Sequence, residues 1–177
     1  MWRIRNEEAG DASDVEQLVI ATFGAGRFAK TAYRLREGVN PVRGLSFVAV
    51  DNDSGAVLGS VQFSNIDIGG TPSLLLGPLA VRPELRGKGI GISLMQKGIE
   101  EARRQGHATV ILVGDEPYYS KVGFAQLPPG QVRLPGPVDP KRLLGLSLKP
   151  GALEYISGEA KRAQIDIPVS APATPLS

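Results

Sequence analysis

Apolar and polar positions along this chain form short hydrophobic runs, together with stretches in which hydrophobic residues recur every three or four positions. Residues 46–50 and 56–63 are apolar and rich in β-branched side chains, and they flank a polar turn at 51–55. Two such runs around a short turn predict a β-hairpin. The runs 74–81 and 109–113 predict two further strands, the second of them buried.

Two longer stretches have the periodicity of an amphipathic helix. The first follows Asp11 and Ser13, either of which can cap a helix, and it ends near Gly24. Its apolar residues share one side: Val15, Leu18, Val19 and Phe23. The second extends from about residue 89 to 105, and Gly106 can end it in the left-handed conformation. Four of its apolar residues share one face: Ile92, Met95, Ile99 and Ala102. Both stretches therefore predict helices packed on a core.

The remaining segments add smaller elements at both ends of the chain. Residues 2–5 alternate apolar and charged side chains and predict a first strand, and residues 28–36 predict a second, short helix. Residues 143–148 predict the closing strand, and residues 152–163 a short helix that Gly158 weakens. The predicted order is β-α-α-β-β-β-α-β-α-β-β, without an internal repeat.

Composition narrows the class of protein. The chain has 177 residues, of which 42% are hydrophobic and 21% are charged, as in ordinary globular domains. We expect one domain over 1–167 and a flexible tail rich in proline and alanine over 168–177. The absence of cysteine and the single histidine exclude a disulfide framework, a cysteine nucleophile and a multi-histidine centre, so we expect no metal.

Charge and hydropathy also bear on partners and on location. The net charge of +2 is too small to indicate a nucleic-acid binder. No apolar run approaches the length of a membrane span, and residues 1–8 lack the apolar core of a signal peptide. We therefore expect a cytoplasmic protein that binds neither membranes nor nucleic acid.

The most informative segment lies between the strand 74–81 and the long helix. It contains three cations and three glycines: Arg82, Arg86, Gly87, Lys88, Gly89 and Gly91. A glycine-rich turn at a helix N-terminus brings unpaired backbone amides close to an anion, and here the cations add positive charge. The spacing matches neither the dinucleotide fingerprint nor the nucleotide P-loop. The turn therefore predicts a pyrophosphate site of another kind.

Two motifs resemble the GNAT N-acetyltransferase family. Arg86-x-x-Gly89-x-Gly91 resembles the coenzyme A signature of that family and follows a Leu-Ala-Val-x-Pro strand end, as the signature often does. Tyr119-x-x-x-Gly123-Phe124 resembles the segment that follows the family's fifth strand. The preceding Tyr118 completes a tyrosine pair that is frequent in the bacterial YhbS-like branch. The resemblance is specific over residues 74–124.

This resemblance implies a fold and a coenzyme. The fold is α/β (α+β), a central mixed, mostly antiparallel twisted sheet of about six to seven strands flanked by helices. Its fourth and fifth strands splay apart, which opens a slot for the coenzyme. The resemblance implies acetyl-CoA as co-substrate: the backbone of Leu79, Ala80 and Val81 binds the pantetheine arm. The pyrophosphate contacts are Arg86, Gly87, Lys88, Gly89, Ile90 and Gly91.

Tyr119 is the candidate catalytic acid. An unperturbed phenol with a pKa of about 10 stays protonated at neutral pH and can donate a proton to a departing thiolate. The alternative is a packed aromatic without a chemical role. A general base is not evident, because the strand 74–81 contains no acid. Asp67, Glu84 and Asp115 are more typical of turns, so a chain of water molecules is the other route for the proton.

The acceptor side of the site carries no motif. The resemblance places the second helix beside the acceptor, and this region contains Arg27, Lys30, Arg34 and Arg36. A solvated helix face is the simpler interpretation of these cations, and attraction of an acidic acceptor is the alternative. His107 lies in a turn far in sequence from both motifs.

The sequence thus predicts an acyltransferase that moves an acetyl group from acetyl-CoA to an amine by direct attack. The amine belongs to a small molecule or to a protein, and homodimers are common in the family. The alternative function is a non-catalytic sensor or partner module that binds acyl-CoA. The missing base favours that alternative, whereas Tyr119 argues against it, since a pure binder needs no acid beside the sulfur.

Overall fold

A computed structural model describes residues 1–24 and 31–163. Over these ranges it contains nine strands: β1 (Trp2–Asn6), β2 (Ser46–Asp51), β3 (Val57–Ile68), β4 (Thr71–Val81), β5 (Thr109–Val113), β6 (Ala125–Gln126), β7 (Val132–Arg133), β8 (Leu143–Ser147) and β9 (Gly158–Arg162). The α-helices in the same ranges are α1 (Ala12–Phe23), α2 (Thr31–Arg36), α3 (Ile90–Arg104) and α4 (Glu116–Tyr119). The predicted tail, 168–177, and the start of the predicted helix 28–36 lie outside the described residues. Within those ranges no helix is long and apolar enough to span a membrane.

The strands form one mixed sheet in the order β1-β2-β3-β4-β5-β8-β6. Neighbours along this path are antiparallel except β4 and β5, which are parallel. Beyond the first residue of β2, β9 pairs with the last residues of β3, and it also pairs with β7 in parallel. The mixed, mostly antiparallel sheet is therefore confirmed. The sheet has nine strands, more than the six to seven expected. It includes the two-residue strands β6 and β7, and it includes β9, which was not predicted as a strand.

The prediction of a helix over 152–163 was wrong. Ala152–Tyr155 forms only a short 3-10 turn, and Gly158–Arg162 forms β9. Gly158 has φ +118, a conformation that no helix contains and that side chains rarely adopt. Within β9, Ala160 is buried between exposed neighbours, which is the alternation of a strand.

Helices cover both faces of the sheet. In β2, Phe47 and Ala49 face the core beneath α3, whereas Val48 and Val50 face the cluster beneath α1. The α3 face is tightly packed: the Phe63 ring occupies the space that a Cβ at Gly98 would need. This packing fixes α3, and therefore its N-terminal turn, against the sheet.

Asp11 fixes the start of α1 without capping the helix through its side chain. Its carboxylate accepts a hydrogen bond from the backbone N–H of Glu8 at 2.7 Å, which closes the preceding 3-10 turn, and no side-chain bond caps α1 itself. The same carboxylate binds Arg5 at 2.7 Å, and this partner lowers the pKa of Asp11. The start of α1 is therefore fixed to β1.

The parallel strands β4 and β5 pair over only two positions, Leu74 with Val110 and Leu75 with Ile111. After Leu75 they separate, as the sequence resemblance implies. At the same place Gly77 and Pro78 form a bulge, where the pairing of β4 with β3 shifts register. The rest of β4 thus keeps β3 on one side and exposes its other edge to a slot.

Candidate active site

The first component of the site is a cleft of about 460 Å³ at the start of α3, here called the glycine cleft. The chain leaves β4, makes a 3-10 turn at Pro83–Leu85 and reaches Gly87 and Gly89, which have φ +81 and +88. Gly89 is the N-cap of α3, and no side chain in the described ranges caps this helix. A Cβ at Gly87 or Gly89 would meet nothing within 4 Å. The helix amides therefore face open space that an anion can enter.

Most of the predicted coenzyme-binding residues line this cleft: Leu79, Val81, Arg86, Gly87, Gly89, Ile90 and Gly91. Ala80 is buried beneath α1, and Lys88 is exposed beside the opening. Arg82 lies elsewhere, because its Nε donates to the backbone oxygen of Val57 at 3.0 Å. Of the three cations near this turn, Arg82 thus joins the turn to β3.

Gly91 has a role that the motif alone does not reveal. The hydroxyl of Tyr118 occupies the space that a Cβ at Gly91 would need. The glycine therefore permits α3 and α4 to approach each other, in addition to keeping the helix start open. This contact joins the two motifs.

The second component is a cavity of about 990 Å³, here called the large cavity. It lies where β4 and β5 separate, between α1, α2 and the segment 137–142. Five residues line both this cavity and the glycine cleft: Phe23, Leu79, Arg86, Tyr118 and Tyr119. The two spaces are therefore adjacent, and the tyrosine pair lies at their junction.

Tyr119 is the last residue of α4 and packs on the end of β5. Its ring fills the space above Gly114 and makes edge-to-face contacts with Tyr118 and Phe124, at centroid distances of 5.0 and 6.3 Å. Burial raises the pKa of Tyr119 to about 12; the nearby Tyr118 and Asp115 add to the rise, and Arg142 opposes it. The phenol therefore keeps its proton at neutral pH.

The acidic candidates occupy different positions. Asp67 accepts from the backbone N–H of Gly70 at 3.0 Å, and Glu84 is exposed in its 3-10 turn. Asp115 lines the large cavity and pairs with Nε of Arg142 at 3.3 Å. Asp139 also lines the cavity, and nothing in the sequence pointed to it. Its carboxylate accepts a hydrogen bond from the backbone N–H of Lys141 at 2.9 Å. Neither Asp115 nor Asp139 lies on β4.

His107 is remote from both spaces. Its Nε2 lies 3.2 Å from the side-chain oxygen of Gln105, in the turn after α3. Burial, and secondarily Lys149, lowers its pKa. This position agrees with the prediction that His107 lies in a turn.

The cations of α2 differ from one another. Arg34 is exposed and donates to the backbone oxygen of Pro135, as expected for a solvated face. Arg36 is partly buried, lines the large cavity and lies against Gly77 in the β4 bulge. The interpretation as a solvated helix face therefore fails for Arg36. Arg27 and Lys30 lie outside the described residues.

The signal for Arg36 in the sequence was weak. Thr31 and Leu35 are the buried residues of α2, and Arg36 follows directly beside this stripe. A cation at the edge of a buried stripe faces either solvent or a cavity, and only the position of β4 decides between them.

Comparisons with known proteins agree with this geometry. Residues 12–124 match the sequence model of the acetyltransferase (GNAT) family. Over 123 residues the chain is 37% identical to the uncharacterized N-acetyltransferase YhbS of Escherichia coli, which covers 68% of this chain and 72% of the relative. Over 121 residues it is 33% identical to the uncharacterized N-acetyltransferase YjhQ of Escherichia coli, covering 66% of each chain.

Solved structures show the same fold. The crystal structure of YhbS from Escherichia coli in complex with CoA has a TM-score of 0.78 at 30% identity, over 92% of this chain and 89% of that one. A GNAT acetyltransferase from Brucella melitensis in complex with acetyl-CoA has a TM-score of 0.67 at 26% identity, over 92% and 96%. The family model covers both motifs and the cleft between them, so the chain belongs to the GNAT acetyltransferase family.

Proposed function

We propose that this protein transfers an acetyl group from acetyl-CoA to an amine by direct attack. The observation that carries the proposal is the junction of two spaces at Tyr119: a cleft suited to a pyrophosphate on one side and a larger cavity on the other. A transferase that joins two substrates without a covalent intermediate needs such an arrangement. The YhbS and Brucella melitensis structures, which contain CoA and acetyl-CoA, support the coenzyme assignment.

The glycine cleft would hold the coenzyme. In the proposal, the amides at the start of α3 and the side chain of Arg86 bind the pyrophosphate. The free edge of β4, at Leu79, Ala80 and Val81, binds the pantetheine arm as a neighbouring strand would. Support for this comes from the early end of the β4–β5 pairing and from the open space at Gly87 and Gly89.

The chemistry requires few groups of the protein. Acetyl-CoA supplies an activated thioester, whose carbonyl carbon the neutral amine attacks and whose carbon–sulfur bond then breaks. Tyr119 would donate its proton to the departing sulfur, since its raised pKa keeps it protonated. The proton lost by the amine passes to water in the large cavity, and the phenol regains a proton from solvent.

Calorimetric titration with acetyl-CoA tests the proposal first, with NAD and dephospho-CoA as competitors. We expect a micromolar dissociation constant for acetyl-CoA and no competition by NAD. A screen of amines with detection of the released thiol then tests turnover. Coenzyme binding without thiol release from any amine would favour the non-catalytic acyl-CoA sensor, and no binding at all would refute both functions.

A further inference from the structure

Among the residues that the structure describes, Arg36 has no ion-pair partner, and it lines the cavity that the proposed acceptor enters. Its guanidinium lies against Gly77, inside the large cavity, and it does not line the glycine cleft. Within residues 1–24 and 31–163, no hydrogen bond or ion pair joins this guanidinium to another group, and its electrostatic neighbour is the phenol of Tyr33. A partly buried guanidinium in this state is unusual, because its donors have lost water without gaining acceptors.

Of the other charged groups of the large cavity, Arg142 already has an acidic partner. Arg142 pairs with Asp115 at 3.3 Å, and the carboxylate of Asp139 accepts from a backbone N–H. Arg86 also lines the glycine cleft, where the proposed pyrophosphate would neutralise it. Of the cations that line the cavity within the described residues, Arg36 alone has neither an acid nor a proposed phosphate opposite it.

Burial lowers the pKa of Arg36 to about 10, which still leaves the side chain charged at neutral pH. The site therefore presents a permanent positive charge to whatever enters the cavity. A guanidinium binds a carboxylate through two parallel hydrogen bonds, which makes it selective for planar anions.

We propose that the acceptor is a small amine that also carries a carboxylate, and that Arg36 binds this carboxylate. The inference rests on the proposed acetyl transfer and names the substrate class of that same site. Gly77 and Leu79 are two residues apart in the chain, so their Cα atoms lie at most roughly 7 Å from each other. An anion at Arg36 and an amine near the exposed edge of β4 at Leu79 are therefore separated by only a few bonds, as in an amino acid. The volume of about 990 Å³ is that of a small-molecule pocket.

An intramolecular partner is the competing explanation. Asp166 is the only acidic side chain in the sequence outside the described residues. The variant Asp166→Asn tests this directly: on our inference it leaves acceptor selectivity unchanged. If Asp166→Asn creates a carboxylate preference that the original chain lacks, Asp166 is the partner of Arg36 and the inference is wrong.

The experiment compares amino acids with their carboxamides as acceptors, in pairs with the same side chain, by thiol release. A carboxamide has a less basic amine, so more of it is neutral at a given pH, and amine basicity cannot produce a carboxylate preference. We expect kcat/KM to be at least about 10-fold higher for the carboxylate of the best pair, as for a hydrogen bond to a charged group.

Arg36→Gln should remove this preference, through a rise in KM for the carboxylate of roughly 10–100-fold, with little change for the carboxamide. Arg36→Lys should restore part of it, because the charge returns without the planar fork. Arg34→Gln, two residues away on the exposed side, is the matched control and should not alter selectivity. Unchanged melting temperature and acetyl-CoA affinity exclude misfolding.

A second readout does not depend on turnover. With CoA bound, N-acetyl amino acids should bind more tightly than the corresponding N-acetyl carboxamides, and Arg36→Gln should abolish the difference. If neither turnover nor binding favours the carboxylate, or if a peptide amine without a nearby carboxylate is the better acceptor, the inference is refuted. Acetyl-CoA binding and thiol release would then still support the acetyl transfer itself.

Discussion

The glycine cleft and the large cavity are adjacent but are built in different ways. The glycine cleft comes mostly from one continuous stretch, the end of β4 and the turn into α3, with the tyrosine pair closing one side. The large cavity is assembled from α1, α2, β4, β5 and the segment 137–142, which are far apart in the sequence. One space therefore has a local sequence signature and the other has none.

The difference follows from the ligand that each space would take. Backbone amides and glycines suffice to bind a pyrophosphate, so a short segment can carry the whole site. Selectivity for one amine among many needs side chains placed at defined distances around it, as we propose for Arg36. Resemblance to a family therefore identifies the coenzyme more readily than the acceptor.

The substitution Gly89→Glu should have the largest effect and act on the glycine cleft alone. The new side chain places a negative charge at the proposed phosphate position and forces a non-glycine residue to φ +88. We expect the dissociation constant for acetyl-CoA to rise at least about 100-fold, roughly 2.7 kcal/mol, by calorimetric titration. Gly130→Glu is the matched control, because Gly130 has φ +83 and equally open surroundings. Equal loss of affinity in both variants would contradict the assignment.

The variant Tyr119→Phe should affect the junction of the two spaces. We expect kcat to fall roughly 10–10³-fold while acetyl-CoA affinity stays within about twofold, as for loss of a general acid. Because the pKa of Tyr119 is about 12, ionisation of this group should not lower turnover between pH 7 and 10. Tyr155→Phe, at a tyrosine that is 81% exposed, provides the control. Normal turnover in Tyr119→Phe would reduce this residue to a packing role.

The contact between Gly91 and Tyr118 links the two spaces and should affect stability. Gly91→Ala places a methyl group where the Tyr118 hydroxyl lies, so the tip of this tyrosine must move, while alanine gains some helix propensity; we expect a net destabilisation of roughly 0.5–1.5 kcal/mol in thermal or denaturant unfolding. Adding Tyr118→Phe should restore most of the loss, since the nearest remaining ring atom lies 3.6 Å from the new methyl. Gly10→Ala, where a Cβ meets nothing within 4 Å, is the control. Failure of the second substitution to rescue stability would show that the strain arises elsewhere.

Asp115→Asn should have the smallest effect and tests whether the large cavity supplies a base. The exposed pair with Arg142 contributes little to stability, so we expect a change below about 1 kcal/mol. We also expect kcat/KM to change by less than about threefold and to rise with pH according to the pKa of the amine. A fall of roughly 10²–10⁴-fold would instead identify Asp115 as the general base.

Predictions from the sequence succeeded where the signal is local and failed where the structure depends on distant segments. The long helix was predicted closely because its period, its glycine start and Gly106, which has φ +91, are all local signals. The segment 152–163 was misread because Ala160 packs against residues of β3 that are distant in sequence. The β4 bulge at Gly77 and Pro78 was not predicted. A glycine and a proline inside a strand pattern are typical of a bulge, but the shift of register is defined only by the partner strand.

The sequence by itself determined the family, the glycine turn, the tyrosine pair and most of the strands, because each depends on spacing within a short segment. Tertiary structure alone decided that Tyr118 fills the space at Gly91, that Arg82 is bound to β3, and that Arg36 faces a cavity while Arg34 faces solvent. The physical reason is that burial and the partner of a charge depend on which distant segment packs against it. No local pattern contains that information.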